Sequence, residues 1–279
     1  MSAKMPDSQI FNPARRQAKR ERAMRRGAES FLLRRAALDA SERLLDVNRQ
    51  FEAALFMGLP DFTDALQQAL PAQKKPRQLI ITDDWPLGDE MPGDLDLIVS
   101  GLALQSLDDV QGALKTARQA LRPDGLFICS FLGGESLLGL RRACFGADQA
   151  RYGGIMPRLS PMIDFRQAAG LLQSSGFAQP VVDMDSFIVN YASLKTLVQD
   201  LRDIGETNSL AAHEPRFEGK DFIARLSDAY TDRSENGKFL AKFEIVWMTG
   251  WAPHQSQQQP LKPGSAKMKL SDALKKIRD

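Results

Sequence analysis

A chain of 279 residues, 43% of them hydrophobic and 26% charged, closes one large core or two small ones and is neither a disordered nor a fibrous polymer. A net charge of +2 excludes a protein that is strongly cationic or anionic throughout, and no apolar run approaches the roughly 18 residues of a membrane span. The two cysteines, Cys129 and Cys144, form no C-x-x-C pair, and Met1-Ser2-Ala3-Lys4 lacks the apolar stretch of a secretory signal. A disulfide framework and a cysteine zinc site are therefore not expected, and a reducing, cytoplasmic setting is.

The charge is unevenly spread. Residues 1–35 hold ten Lys and Arg against three Asp and Glu, so this end carries +7 and the remainder −5. Such a basic arm suits an acidic partner, anionic lipid or nucleic acid. Nucleic acid is the weakest of these, because residues 12–30 carry no interleaved aromatics for bases to stack on. Arg15, Arg16, Lys19, Arg22 and Arg26 are expected on the outside of a helix spanning residues 14–35.

In chain order, residues 14–47 read as one or two helices with a partial apolar stripe, and 51–57 as a short strand turned by Gly58. Asp61 is a candidate cap for a helix that Pro71 stops. Leu79–Thr82 and the apolar run Leu95–Ser100 read as strands of a parallel sheet. Asp108 then caps a helix to Leu121, and the turn Arg122-Pro123-Asp124-Gly125 feeds the strand Leu126–Phe131. Helices follow at about 135–145 and 164–175, the second ended by Gly176. Strands at 180–191 and 239–251 bracket helices at 193–204 and 218–230. From Pro253 the chain is rich in Gln, Lys and Pro and reads as a tail with a short helix at its end. Strands alternating with helices predict an α/β fold, a doubly wound, mainly parallel sheet with a late antiparallel strand. The expected divisions are a helical arm at 1–50, the main domain at 51–252 and the tail at 253–279.

The run from Leu95 to Val110, followed by Leu121-Arg-Pro-Asp-Gly-Leu-Phe127, resembles strands four and five of a class I S-adenosylmethionine-dependent methyltransferase. Further stretches narrow the likeness. Phe11-Asn12 with its Arg-rich continuation, Gly133-Gly134-Glu135-Ser136-Leu137, the segment Asp200 to Asn208, and Phe243 to Trp251 with His254-Gln-Ser-Gln257 and Pro260…Gly264-Ser265-Ala266 resemble the methyltransferase-like family that includes a complex I assembly factor acting as an arginine hydroxylase. The likeness is strong over 95–266, good over 10–50 and poor over 51–94. It implies a Rossmann-like methyltransferase fold, S-adenosylmethionine as cofactor, and a protein substrate or respiratory complex subunit as partner.

By the same resemblance, the first strand ends in an acidic residue followed by a glycine loop whose backbone N–H groups approach the cofactor. Here Phe56 stands in place of the acid, Pro60 and Phe62 in place of glycines, and only Gly58 remains. The segment up to Leu95 is short by about one β–α unit, the unit that carries the carboxylate for the ribose. Asp83 or Asp84 is the substitute on offer, and a loop-capping role suits either equally. The cofactor-binding candidates are thus Gly58, Asp83, Asp84, Ser100, Leu102 and Gln105. No catalytic residue stands out.

Gly133-Gly134 before a helix suits either an anion or merely a tight turn, Arg141 an anion or a salt bridge, and Tyr191 the end of a strand. His213 and His254 lack the pattern of an iron site. Two functions compete: a methyltransferase-family enzyme, or family-like hydroxylase, with a degenerate cofactor loop and a protein substrate; and a non-catalytic assembly factor or scaffold for a respiratory NADH dehydrogenase subunit.

Overall fold

The protein was analysed as a computed structural model, which describes residues 9–86, 90–214, 216 and 218–257. The expected tail helix and the Pro260–Ala266 motif lie outside the described residues. Helix α1 (Pro13–Arg26) starts on an Asn12 cap with Pro13 in its first turn and ends on Gly27 at φ 56°. Helix α2 (Phe31–Asp46) starts on a Ser30 cap. Strand β1 (Ala53–Met57), α3 (Pro60–Ala69), a 3-10 turn (Ala72–Lys74), β2 (Gln78–Thr82), β3 (Leu95–Gly101), α4 (Val110–Ala120) and β4 (Leu121–Leu132) follow. The second half is α5 (Leu138–Tyr152), α6 (Phe165–Ser174), β5 (Ala178–Tyr191), α7 (Leu194–Asp203), α8 (Gly219–Ala229) and β6 (Phe239–Trp251).

The sheet has the order β2-β1-β3-β4-β6-β5. The first four strands run parallel, and β6 runs antiparallel to both β4 and β5. Leu95–Ser100 and Leu126–Phe131 are central neighbours, with Ile98 beside Phe127 and Ser100 beside Cys129. The doubly wound α/β arrangement with a late reversed strand is what the sequence pattern predicts. Between β2 and β3 the described residues contain no α-helix, and β2 is an edge strand of only five residues.

Side chains alternate across the sheet as strand geometry dictates. Ala54, Phe56, Leu97, Val99, Ile128 and Trp247 face a core closed by α2, α3, α5, α7 and α8. Leu55, Ile98, Phe127, Cys129 and Met248 face the opposite core under α4 and α6. Leu32, Leu33, Ala36, Ala37, Ala40 and Leu44 of α2 belong to the first of these cores, so the N-terminal helices are built into the body.

Three local expectations are corrected. Asp61 does not cap its own helix: Leu59 precedes Pro60 at the helix start, and the Asp61 carboxylate accepts from the Ser30 N–H at 2.6 Å. The α4 cap is Asp109, whose carboxylate accepts from Gly112 N–H, while Asp108 accepts from the N–H groups of Ile10 and Phe11, both at 2.9 Å. The basic face of α1 is not uniformly solvated. Arg22 and Arg26 are exposed and Arg15 and Lys19 half-buried, but Arg16 is largely buried, with a side-chain exposure of 11%. A helix laid against a protein body turns one face inward whatever its composition, and here that face carries Arg16, Arg20 and Ala23.

Candidate functional site

Open parallel sheets place ligand crevices at the C-terminal ends of their strands, where the strand order reverses. Here that point lies between β1 and β3, and Gly58, Asp83, Asp84, Ser100 and Leu102 all stand at or just beyond these ends. Gly58 adopts φ 150°, donates its N–H to Thr82 O, and has no room for a side chain: an added Cβ would lie 2.9 Å from Gly101 O and 2.9 Å from the Phe62 ring. Ser100 is fully buried, and its hydroxyl has no hydrogen-bond partner. Leu102 is held in the left-handed region at φ 47°, its N–H bonded to Ser130 O at 2.9 Å. Backbone strain of this kind costs on the order of 1–3 kcal/mol and concentrates at ligand sites.

Phe62 fills the space between the two loops. An added Cβ on Gly101 would fall 2.2–2.4 Å from its ring carbons, and the ring itself is fully buried. The sequence flags Phe62 as a non-glycine but not where its ring goes: the first turn of α3 aims it across the end of β1 at the end of β3. Phe56 is likewise fully buried and faces the α2/α3 core, so β1 ends without a carboxylate.

Asp83 and Asp84 follow β2, the neighbour of β1, and both are engaged by α1. Arg16 donates from Nη1 and Nη2 to the two carboxylate oxygens of Asp84, from Nε to Ser106 Oγ at 3.0 Å, and from Nη2 to Ala103 O at 2.9 Å. Arg20, 2% exposed, donates to Asp83 O and lies 3.6 Å from Asp84 and 3.9 Å from Glu206. Its Nε and Nη1 have no hydrogen-bond partner, so these two ion pairs are what balance its charge. Burial pulls the Arg20 pKa down, opposed first by Asp84. Gln105 Nε2 bonds Leu102 O at 2.9 Å and its Oε1 is unpartnered; beside it, burial pushes the Glu206 carboxyl above its usual range.

Of the six candidate residues, Asp83 and Asp84 line the crevice beside α1, Gly58, Ser100 and Leu102 are packed at the strand ends, and Gln105 lines a neighbouring cavity; the Asp84 carboxylate is taken by Arg16. Arg16, Arg20 and Glu206 are the members that sequence reading missed. The four-residue spacing of Arg16 and Arg20 was the available signal, since i and i+4 share a helix face.

The remaining motifs resolve structurally. Gly134, at φ 56°, has the Glu244 carboxylate where a side chain would sit, and that carboxylate accepts from Glu135 N–H at 2.7 Å, so the helix start after the double glycine already holds an anion of the chain itself. Arg141 donates to the carbonyls of Leu159 and Ser160. Tyr191 ends β5 and is buried. Cys129 and Cys144 are free and buried, and burial pushes both thiols up to about 12, so neither is a nucleophile near neutral pH. Among the described residues no cluster of three His, Cys, Asp or Glu could hold a metal ion, and no helix is long and apolar enough to cross a membrane.

A second cavity, of about 360 Å³, is lined by Gln105 and Glu206 together with Arg158, Arg202 and Glu218 on its polar side. It lies among α5, α7 and α8, with walls that include Leu140, Leu201, Phe222 and Leu226.

Sequence comparison settles the family. The mitochondrial arginine-hydroxylase NDUFAF5 of Danio rerio is 31% identical over 256 residues, covering 84% of this chain and 79% of its own. The chain belongs to the NDUFAF5 family. The NDUFAF5 protein of Dictyostelium discoideum is 31% identical over 205 residues, which are 71% of this chain but 46% of that one, so the chain spans only about half of some family members. A malonyl-[acyl-carrier protein] O-methyltransferase of Xylella fastidiosa is 34% identical over 201 residues, 68% of this chain and 65% of that one. No protein-family model matches the chain. NDUFAF5-family membership and the six-stranded sheet agree with the methyltransferase-like architecture that the motifs imply, while the residues after Gly58 do not fit S-adenosylmethionine: a proline and a phenyl ring stand where backbone has to come close, and Arg16 takes both carboxylate oxygens of Asp84.

Proposed function

We propose that this NDUFAF5-family protein no longer transfers methyl groups and acts as a non-catalytic, partner-binding factor in the assembly of a respiratory NADH dehydrogenase. The observation that carries this reading is the position of Phe62, whose ring occupies the gap between Gly58 and Gly101. Support comes from Arg16, which takes both carboxylate oxygens of Asp84, one of the two aspartates available for a ribose, while Arg20 takes the backbone carbonyl of Asp83. Methyl transfer asks little of a protein beyond aligning cofactor and nucleophile, so a protein that cannot seat the cofactor retains the fold without the reaction. The arginine-hydroxylase name of its curated relatives supports a protein partner, and free buried thiols suit a reducing compartment.

Calorimetric titration with S-adenosylmethionine and with its demethylated product tests this. No binding is expected for the unmodified protein. Phe62→Gly combined with Arg16→Ala is expected to open the crevice and give measurable heat. Micromolar binding by the unmodified protein overturns the reading and restores a methyltransferase.

A further inference from the structure

The apolar cavity among α5, α7 and α8 is not explained by the cofactor crevice, and the charge around its mouth is unusual. Arg202 lines it. Lys19 donates to Thr207, a second lining residue, at 2.9 Å, and Arg15 donates to the carbonyl of His213, a third, at 2.6 Å. Arg22 adds a further positive charge close to Lys19. None of Arg15, Lys19, Arg22 and Arg202 forms an ion pair among the described residues, in contrast to Arg16, Arg20 and Arg26 on the same helix α1. Lys19 registers the crowding: burial first, then the charges of Arg22, Arg15 and Arg202, pull its pKa down, against a smaller opposing effect of Glu206.

The cavity wall also carries Glu206 and Glu218, with Arg158 paired to Glu218, but Arg15, Lys19 and Arg202 at its rim leave a surplus of positive charge, and like charges repel at short range. A carboxylate-rich partner relieves that repulsion and an apolar side chain fills the cavity. At about 360 Å³ the cavity holds one or two large side chains rather than a folded element. Ile223, 54% exposed on α8, extends the apolar wall to the surface.

We infer that this cavity and its cationic rim form the docking site for an acidic segment of the partner, anchored by a large aliphatic or aromatic side chain. The inference deepens the partner-binding half of the reading above and rests on it. The rim supplies attraction and orientation, and the cavity supplies the desolvated anchor.

The test uses the full chain and fluorescence polarisation with labelled peptides of about twelve residues, in which Leu and Phe four positions apart are flanked by Glu. Binding is expected to weaken at least about tenfold when the Glu residues become Gln, when Leu and Phe become Ser, or when salt rises from about 50 to about 300 mM. Arg202→Glu and Ile223→Glu, both at exposed positions and checked for unchanged circular dichroism, are expected to weaken it similarly. The inference is overturned if the acidic peptide does not bind, if it binds no better than its Gln or Ser counterpart, or if both variants bind as the parent does. Cofactor titration reads the other crevice, so the two readings fail separately: a failed peptide experiment with no cofactor binding removes only the docking site.

Discussion

Arg16 holds Asp84 with both terminal nitrogens, Nη2 to Oδ1 at 2.6 Å and Nη1 to Oδ2, across 68 residues of sequence. A bidentate guanidinium–carboxylate pair is the strongest of the ordinary ion pairs, and this one is shielded, with Arg16 11% exposed and Asp84 29%. It ties the N-terminal helix to the end of β2.

Removing one partner of that pair leaves the other stranded. Arg16→Ala is expected to destabilise the protein by about 2–4 kcal/mol, and Asp84→Ala by a similar amount. The double variant Arg16→Ala with Asp84→Ala is expected to cost clearly less than the two single changes added together. Urea unfolding of the four proteins measures the coupling, and strict additivity would show that the pair does not tie α1 down.

Phe62→Ala is expected to cost about 3–5 kcal/mol, as for other fully buried aromatics. A loss under about 1 kcal/mol in thermal or urea unfolding would mean the ring is not packed between the loops of Gly58 and Gly101.

Glu206 gives the pH dependence. Burial raises its carboxyl pKa, opposed by Arg16 and Arg20 and reinforced by Asp84, while Gln105 donates a hydrogen bond to it. A carboxyl raised above its unfolded value contributes stability that is fully present below about pH 4 and is lost as pH rises through the raised folded value. Glu206→Gln mimics the protonated form. The variant should therefore match the parent most closely at acidic pH and gain on it as pH rises toward neutrality. Unfolding free energies from about pH 5 to about pH 8 read this directly, and a constant difference across that range sinks the assignment.

Gly134→Ala is expected to cost about 2–4 kcal/mol, since the backbone is left-handed there and the new methyl meets Glu244 Oε2 at 1.9 Å. In a Glu244→Ala background the same change should cost only about 1 kcal/mol, the residual strain of the backbone. Equal costs in both backgrounds would show that Glu244 does not occupy the helix start.

The sheet was legible because buried strands announce themselves: Leu95–Ser100 and Leu126–Phe131 are apolar runs of strand length with turn residues around them, and both are central strands. The short segment before Leu95 leaves β2 as the edge of the sheet. The cap of α4 was misplaced by one residue because Asp108 and Asp109 are equally good caps in isolation, and only the contact of Asp108 with Ile10 and Phe11 separates them. Arg16 was expected on the outside because composition favours that for arginine, and Arg20 was not singled out. Their inward turn depends on carboxylates more than 60 residues away, which no local periodicity encodes.

The Phe62 ring also constrains where this sequence can go next. Exchanging it for glycine alone forfeits about 3–5 kcal/mol of a total that for most domains is only about 5–15 kcal/mol, while Arg16 still holds Asp84. Releasing Arg16 alone weakens the fold while the ring still blocks the gap. On the function proposed above, each single exchange is expected to lower stability without opening the crevice, so the two positions have to change together.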